Sequence, residues 1–444
     1  MPSRAPGPRL PILLALLAVM VIAQPLRAQD FTTLKGHGGP IMGVAVHPRN
    51  GQVATASFDN SVGLWQGRRP RWLEGHDAAV NTVVFGRDGR LYSGGDDFAV
   101  LAWDRATGRA TRLGRHRGKV MRLALSPDGD LLASAGWDGT VGLWPLSGGT
   151  PRRLRGHDGP VSDVAFGPRG RVLYSASADG TVRRWRRDAP AAKGRVVVDH
   201  GFGINRIAMG PEGRWLAYGA VDGVTRVIDP ESGAALHDFT LDRRPILALA
   251  HHSGTGQLAV GDGQGWIMVI DTRQWQITRD FRAMRRGPVW SLAFSPDGRM
   301  LYAGGIEDVA FGWPVALLDE FAPAGGGGAR SFLRDPARMP NGERQFMRKC
   351  SICHALTPPP SRKAGPTLYG LFGRPAGTVP GYRYSPTLAN SDIVWTRATI
   401  DALFDQGPDH YIPGSKMPMQ RITAAQDRAD LTAYLKAATA TTEN

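Results

Sequence analysis

The sequence predicts a multidomain chain in which an all-β array of seven repeated units is followed by a small all-α domain. Three observations carry the prediction. A unit of near-constant length recurs seven times between about residues 32 and 313, its ends spaced 38, 41, 41, 43, 42 and 43 residues apart. Four consecutive glycines, Gly325 to Gly328, then interrupt the pattern. Beyond them, apolar residues follow helical instead of alternating spacing. A chain of 444 residues also exceeds a single ordinary domain of roughly 100–200 residues.

The first 28 residues have the layout of a secretory signal: Arg4 and Arg9, an apolar run over residues 11–23, and Ala28 at the expected cleavage point. That run is shorter than the ~20 residues that span a bilayer, so no stable membrane span is expected after cleavage. No twin arginine precedes it, which implies export of an unfolded chain and addition of any cofactor outside the cytoplasm. A periplasmic location is the expectation.

The formal charge of +15 suggests an acidic partner. Nucleic acid is set aside, because an exported protein rarely meets it and the arginines are scattered over many short strands. A solvated surface, an acidic redox partner or an anionic membrane surface remain. The two cysteines are separated by only two residues, so no disulfide framework is available despite the oxidising compartment.

Residues 156–185, GHDGPVSDVAFGPRGRVLYSASADGTVRRW, give the clearest unit of the array. Its end recurs at Trp65, Trp103, Trp144, Trp185, Ile228, Ile270 and Trp313, with Asp59, Asp97, Asp138, Asp179, Asp222, Gln264 and Glu307 six residues before them. A tight turn followed by an alternating strand explains that spacing. With their Gly-His starts at His37, His76 and His157, these units resemble WD repeats. The resemblance implies a seven-bladed β-propeller over residues 29–315, with a His, Asp, Ser or Thr, and Trp network inside each blade. His37, Asp59 and Trp65 match it, as do His76, Asp97 and Trp103; His116, Asp138 and Trp144; and His157, Asp179 and Trp185. Repeats five to seven depart from it: the fifth keeps His200 and Asp222 but has Ile228 for Trp, the sixth keeps neither His nor Asp, and the seventh has Glu307 with no matching His, so apolar packing alone is expected there. Four strands per repeat are expected, and residues 31–34 hold the sequence place of an outermost strand that closes the seventh blade and removes open edges.

A Gly- and Pro-rich linker is read over residues 316–334, the second domain over 335–439 and a tail over 440–444. The second domain contains Cys350, Ser351, Ile352, Cys353 and His354, the C-x-x-C-H signature of c-type haem attachment. Asn341 can cap a helix starting at Gly342, which puts Phe346, Cys350 and Cys353 on one face. Two thiols on that face can meet the two vinyl groups of one porphyrin edge, and His354 can direct its imidazole at the iron. A zinc half-site lacks a second ligand pair, and a thioredoxin-like dithiol lacks its βαβ context.

The run GPTLYGLFGR at 365–374, PGYRYS at 380–385, Trp395, YIPGSKM at 411–417 and ADLTAYLK at 429–436 resemble the mitochondrial-type (class I) cytochromes c. The resemblance implies one covalent haem c bound by Cys350 and Cys353, with His354 and Met417 as iron ligands. It also implies that Pro366 offers its carbonyl to His354, and that Arg374, Tyr384 and Trp395 lie near the haem propionates. Position after YIPGSK selects Met417 over Met419. In that family the first and last helices cross near Gly342 and Phe346, against Leu431 and Tyr434. Three helices are read: one from Gly342, one over about 397–405 and one opened by Thr423 and Gln426 at capping-box spacing. Leu388 and Ala389 depart from the family by being apolar, and Met419 stands where an aromatic residue is usual. Lysines that ring the haem edge in that family are sparse.

With both axial positions filled, no site remains for oxygen, peroxide or nitrite, which favours an electron carrier over a catalyst. The expected partner is a redox protein docked on the propeller or at the haem edge. A catalytic propeller with a second cofactor and a scaffold that senses redox state through Met417 release are the alternatives. Against the first, the repeats carry no second haem signature, and His251 and His252 are placed in an exposed turn.

Overall fold

The computed structural model describes residues 32–317 and 340–440, apart from residues 88, 190–192, 241–244, 285–286, 352, 360–362, 416 and 418–420. The expected signal segment, most of the linker and the tail lie outside the described residues.

Seven four-stranded antiparallel sheets form the first domain. Six are continuous in sequence, beginning with blade one at Ile41–Val46 and ending with blade six at Gln276–Arg282. Blade seven takes three strands from residues 289–314 and its outermost strand from Thr32–Lys35, which pairs antiparallel with Thr32 opposite Gly312 and Lys35 opposite Val309. The ring therefore closes as expected, with Thr32–Lys35 covering the outer edge of Val309–Pro314. First strands of neighbouring blades pack on one another all round, and Val289–Phe294 of the last lies against Ile41–Val46 of the first.

Apolar clusters form between blades, because a single twisted sheet buries only one face until a neighbour covers the other. One such cluster joins Leu64 and Leu73 of blade one to Val83, Phe85 and Leu101 of blade two. The polar networks of blades one to four form within this apolar setting. In blade one, His37 Nδ1 donates to Asp59 at 2.9 Å, while Thr55 Oγ1 lies 2.7 Å from His37 Nε2 and accepts from Trp65 Nε1 at 2.8 Å. Ser93, Ser134 and Ser175 take the place of Thr55 in blades two, three and four. Burial pushes the Asp59 carboxyl up, but hydrogen bonds from His37, Ser61 and the Gly38 amide outweigh it and hold the group below its ordinary value.

The expectation of apolar packing alone in the later blades needs correction. In blade five His200 still meets Asp222 at 3.0 Å, through Nε2 instead of Nδ1, and in blade six Asp262 accepts from the Gln264 and Trp266 amides. Local turn chemistry thus persists where the indole end of the network is lost. His251 and His252 also differ from expectation. They end the strand Ile246–His252, partly buried, with the His251 ring 4.8 Å from Trp215 and His252 bonded to Thr255 and the Pro296 carbonyl.

The second domain contains α1 (Asn341–Lys349), α2 (Pro386–Ala389), α3 (Arg397–Gln406), α4 (Pro408–Tyr411) and α5 (Ala425–Ala438). A capping box of Thr396 and Thr399 starts α3. Neither of the two expected caps forms. Asn341 lies inside α1 and donates its amide to Asp427 and Asp430 of α5, both at 2.7 Å, while α5 begins after Ala424 with no side-chain cap. In each case a tertiary contact replaces a local one. No helix among the described residues is long and apolar enough to cross a membrane.

Candidate functional site

The α1–α5 crossing organises the second domain. A Cβ on Gly342 would stand 2.1 Å from the Asp430 carbonyl oxygen and 2.8 Å from the Tyr434 Cβ, so only glycine lets the helices approach this closely. Next to it the rings of Phe346 and Tyr434 lie 5.6 Å apart, and Leu431 is fully buried. The crossing is the one the family resemblance implied.

The crossing sets the end of α1 against the core. The helix stops at Lys349, so Cys353 lies in a following turn, where its amide and that of His354 donate to the Cys350 carbonyl at 3.0 and 2.8 Å. This turn brings Cys350, Cys353 and His354 to one cavity, which Met417 also lines. The cavity has an empty volume of about 1360 Å³, counting space open to solvent. Leu368, Leu371, Ile400, Leu403, Phe404 and Leu435 make its walls apolar. Burial pushes the Cys350 thiol up to about 12 and the Cys353 thiol up to about 11.

His354 Nδ1 donates to the Pro366 carbonyl at 2.7 Å. A neutral imidazole that donates from Nδ1 presents the Nε2 lone pair, and the bond fixes ring orientation. Burial holds His354 below its ordinary value, partly offset by the Pro366 bond. Gly365 supplies the space: a Cβ there would lie 2.4 Å from the imidazole. Arg374 lines the cavity and donates to the Tyr369 carbonyl at 2.6 Å and the Thr367 carbonyl at 2.8 Å, bracing the loop that carries Pro366. Tyr384 and Trp395 line the same cavity, and the Tyr384 hydroxyl accepts from the Val379 amide at 3.3 Å. All eight residues singled out in the sequence, Cys350, Cys353, His354, Pro366, Arg374, Tyr384, Trp395 and Met417, therefore line one cavity. Met419 lies outside the described residues.

Two groups were not foreseen. Tyr382 lines the cavity and donates to the Ala364 carbonyl at 2.8 Å; its sequence signal was its place in PGYRYS. The propeller residues Phe58, Asn60, Asp77, Ala78, Ala79 and Asp96 also line the cavity, and no local signal in the sequence marks them.

Paired thiols at one wall, an oriented imidazole beside them, a thioether and apolar surfaces fit a planar iron porphyrin, and they define a c-type haem domain carried behind a WD-repeat propeller. The WD domain, G-beta repeat family model matches residues 29–66, 67–104, 109–145, 148–186 and 275–308, leaving out most of blades five and six, where the polar networks are incomplete. The cytochrome c family model matches residues 340–439. Cytochrome c of Sesamum indicum is 45% identical over 106 residues, which are 24% of this chain and 94% of that protein. Cytochrome c of Nigella damascena is 44% identical over 112 residues, 25% of this chain and 99% of the relative. Cytochrome c type-1 of Ascaris suum is 41% identical over 98 residues, 22% and 84% respectively. Through its carboxyl-terminal domain the chain belongs to the cytochrome c family, with covalently bound haem c as its iron cofactor. Electron carrying is the activity this domain suggests, and protein interaction the role the propeller suggests.

Proposed function

We propose that the chain is an exported, periplasmic carrier of single electrons, with His354 and Met417 as the two iron ligands and the propeller as the module that selects its redox partner. Haem c supplies the one-electron iron couple when bound. The 2.7 Å bond from His354 Nδ1 to the Pro366 carbonyl carries the reading, because it points the other imidazole nitrogen into the cavity that also receives Met417. Soft thioether sulfur opposite imidazole favours the reduced state, as His/Met ligation does in cytochromes c. The apolar walls would keep water from the iron, and Arg374, Tyr384 and Trp395, which line the same cavity, would receive the propionates, whose burial without partners would be costly. Export rests on the charged and apolar layout of residues 1–28.

Protein matured in a host competent for cytochrome c assembly should gain one porphyrin mass, begin near Gln29, and show the weak long-wavelength sulfur-to-iron band. Met417→Ala should abolish that band and lower the potential, whereas Met419→Ala should keep both. A chain without added porphyrin sinks the electron-carrier reading; the reverse result for the two methionines sinks the ligand assignment.

A further inference from the structure

We infer that the loops of propeller blades one and two are a built-in cap over the haem crevice of the chain's own cytochrome domain. The inference rests on the haem occupying the cavity described above. Phe58 and Asn60 come from the turn between the second and third strands of blade one, Asp77 to Ala79 from the connection into blade two, and Asp96 from the matching turn of blade two. These three pieces sit at one end of the ring and complete the lining of the cavity that holds Cys353, His354 and Tyr382. Arg383, next to Tyr382, makes an ion pair with Asp77 across the junction.

The cap is held rigid from within the propeller. The Asp77 amide donates to Asp97 at 2.9 Å, and Asp97 is itself fixed by His76 at 3.0 Å. The Asp96 amide donates to the Ala79 carbonyl at 2.7 Å, while its carboxylate takes Asn81 at 2.7 Å and Lys119 at 2.6 Å. Loops pinned in this way lose little conformational freedom on docking. Tethering in one chain supplies an effective concentration in the millimolar range, so a modest contact suffices to keep the crevice covered. The polar networks of blade two thereby acquire a second role: they shape the surface that faces the haem. A redox partner that reaches the haem by this mouth must displace the cap, and salt, which screens the exposed pair of Asp77 and Arg383, assists it.

The test uses the full-length haem-loaded protein. Hydrogen exchange is followed in the segments carrying Asp77 to Ala79 and Tyr382 to Ser385, for wild type, Asp77→Arg, Arg383→Asp, the double swap and Ala78→Trp. Each single reversal should speed exchange in both segments by up to roughly fivefold, the range of an exposed ion pair. The double swap should restore wild-type rates, and the bulky wedge at Ala78 should open both segments further. Exchange at Tyr382 to Ser385 that ignores Ala78→Trp, or a double swap no slower than the single reversals, overturns the cap. Porphyrin mass and the sulfur-to-iron band, recorded on the same samples, report separately on the haem reading.

Discussion

Ser134 is the joint of the blade-three network, and replacing it with alanine isolates what such a network contributes. Its hydroxyl, fully buried, lies 2.7 Å from His116 Nε2 and accepts from Trp144 Nε1 at 2.8 Å. Since His116 Nδ1 donates to Asp138 at 3.0 Å, Nε2 is the acceptor of the Ser134 proton. Alanine would leave two buried polar groups, an imidazole nitrogen and an indole N–H, with nothing to replace the lost hydroxyl. At about 1–3 kcal/mol for each unsatisfied group, the propeller should lose about 2–5 kcal/mol. Ser134→Thr keeps the hydroxyl in the role that Thr55 fills in blade one, and should cost less than about 1 kcal/mol. Denaturant unfolding followed by tryptophan fluorescence reads this, because all the tryptophans except Trp395 lie in the propeller. An Ser134→Ala propeller that unfolds with wild type, or Ser134→Thr as damaging as Ser134→Ala, refutes the relay.

Gly342→Ala forces α1 and α5 apart, since its Cβ would stand 2.1 Å from a helix carbonyl; a net loss of about 2 kcal/mol in the cytochrome domain is expected after the helix-propensity gain, and an unchanged haem-domain midpoint would contradict it. A chain beginning at His37 lacks the strand Thr32–Lys35 and exposes the edge of Val309–Pro314, so size-exclusion chromatography should show self-association; a monodisperse monomer would count against ring closure. The carboxyls of Asp59, Asp97, Asp138 and Asp179 are all held below their ordinary value, Asp179 at about 2, by their histidines and turn hydrogen bonds, which outweigh burial. Their unfolded forms bind protons first, so this stability is complete above about pH 4 and is lost as pH falls through the folded values. For Asp179, discounted for screening, the loss is on the order of 1 kcal/mol, and a propeller stability flat between pH 4 and 2 would rule the linkage out.

Much of the architecture was written in the sequence because its signals are local and repeated. A turn residue six positions before each strand end, aspartate in five of the seven units, can be counted without coordinates, and seven units of near-constant length point to a closed ring. The C-x-x-C-H run and the matched segments around it single out eight residues that line one cavity, because all but Trp395 sit in short contiguous runs that can be recognised without coordinates. Local capping signals were less dependable. Asn341 and Thr423 have the residue types of caps, yet Asn341 serves Asp427 and Asp430 across the helix crossing, where charged acceptors bind it more strongly than a neutral helix end would.

The sequence by itself determined the repeat number, the change from β to α, and the chemistry of thiol, imidazole and thioether. Only the tertiary structure decided that His200 and Asp222 still meet without their tryptophan, that His251 and His252 belong to a half-buried strand end, and that Phe58 and Asp77 line the same cavity as His354. The physical reason is separation along the chain. Hydrogen bonds within a turn and spacing along a helix are set by neighbours, whereas the pairing of Asp77 with Arg383 joins residues 306 positions apart, and no pattern in either segment records the other.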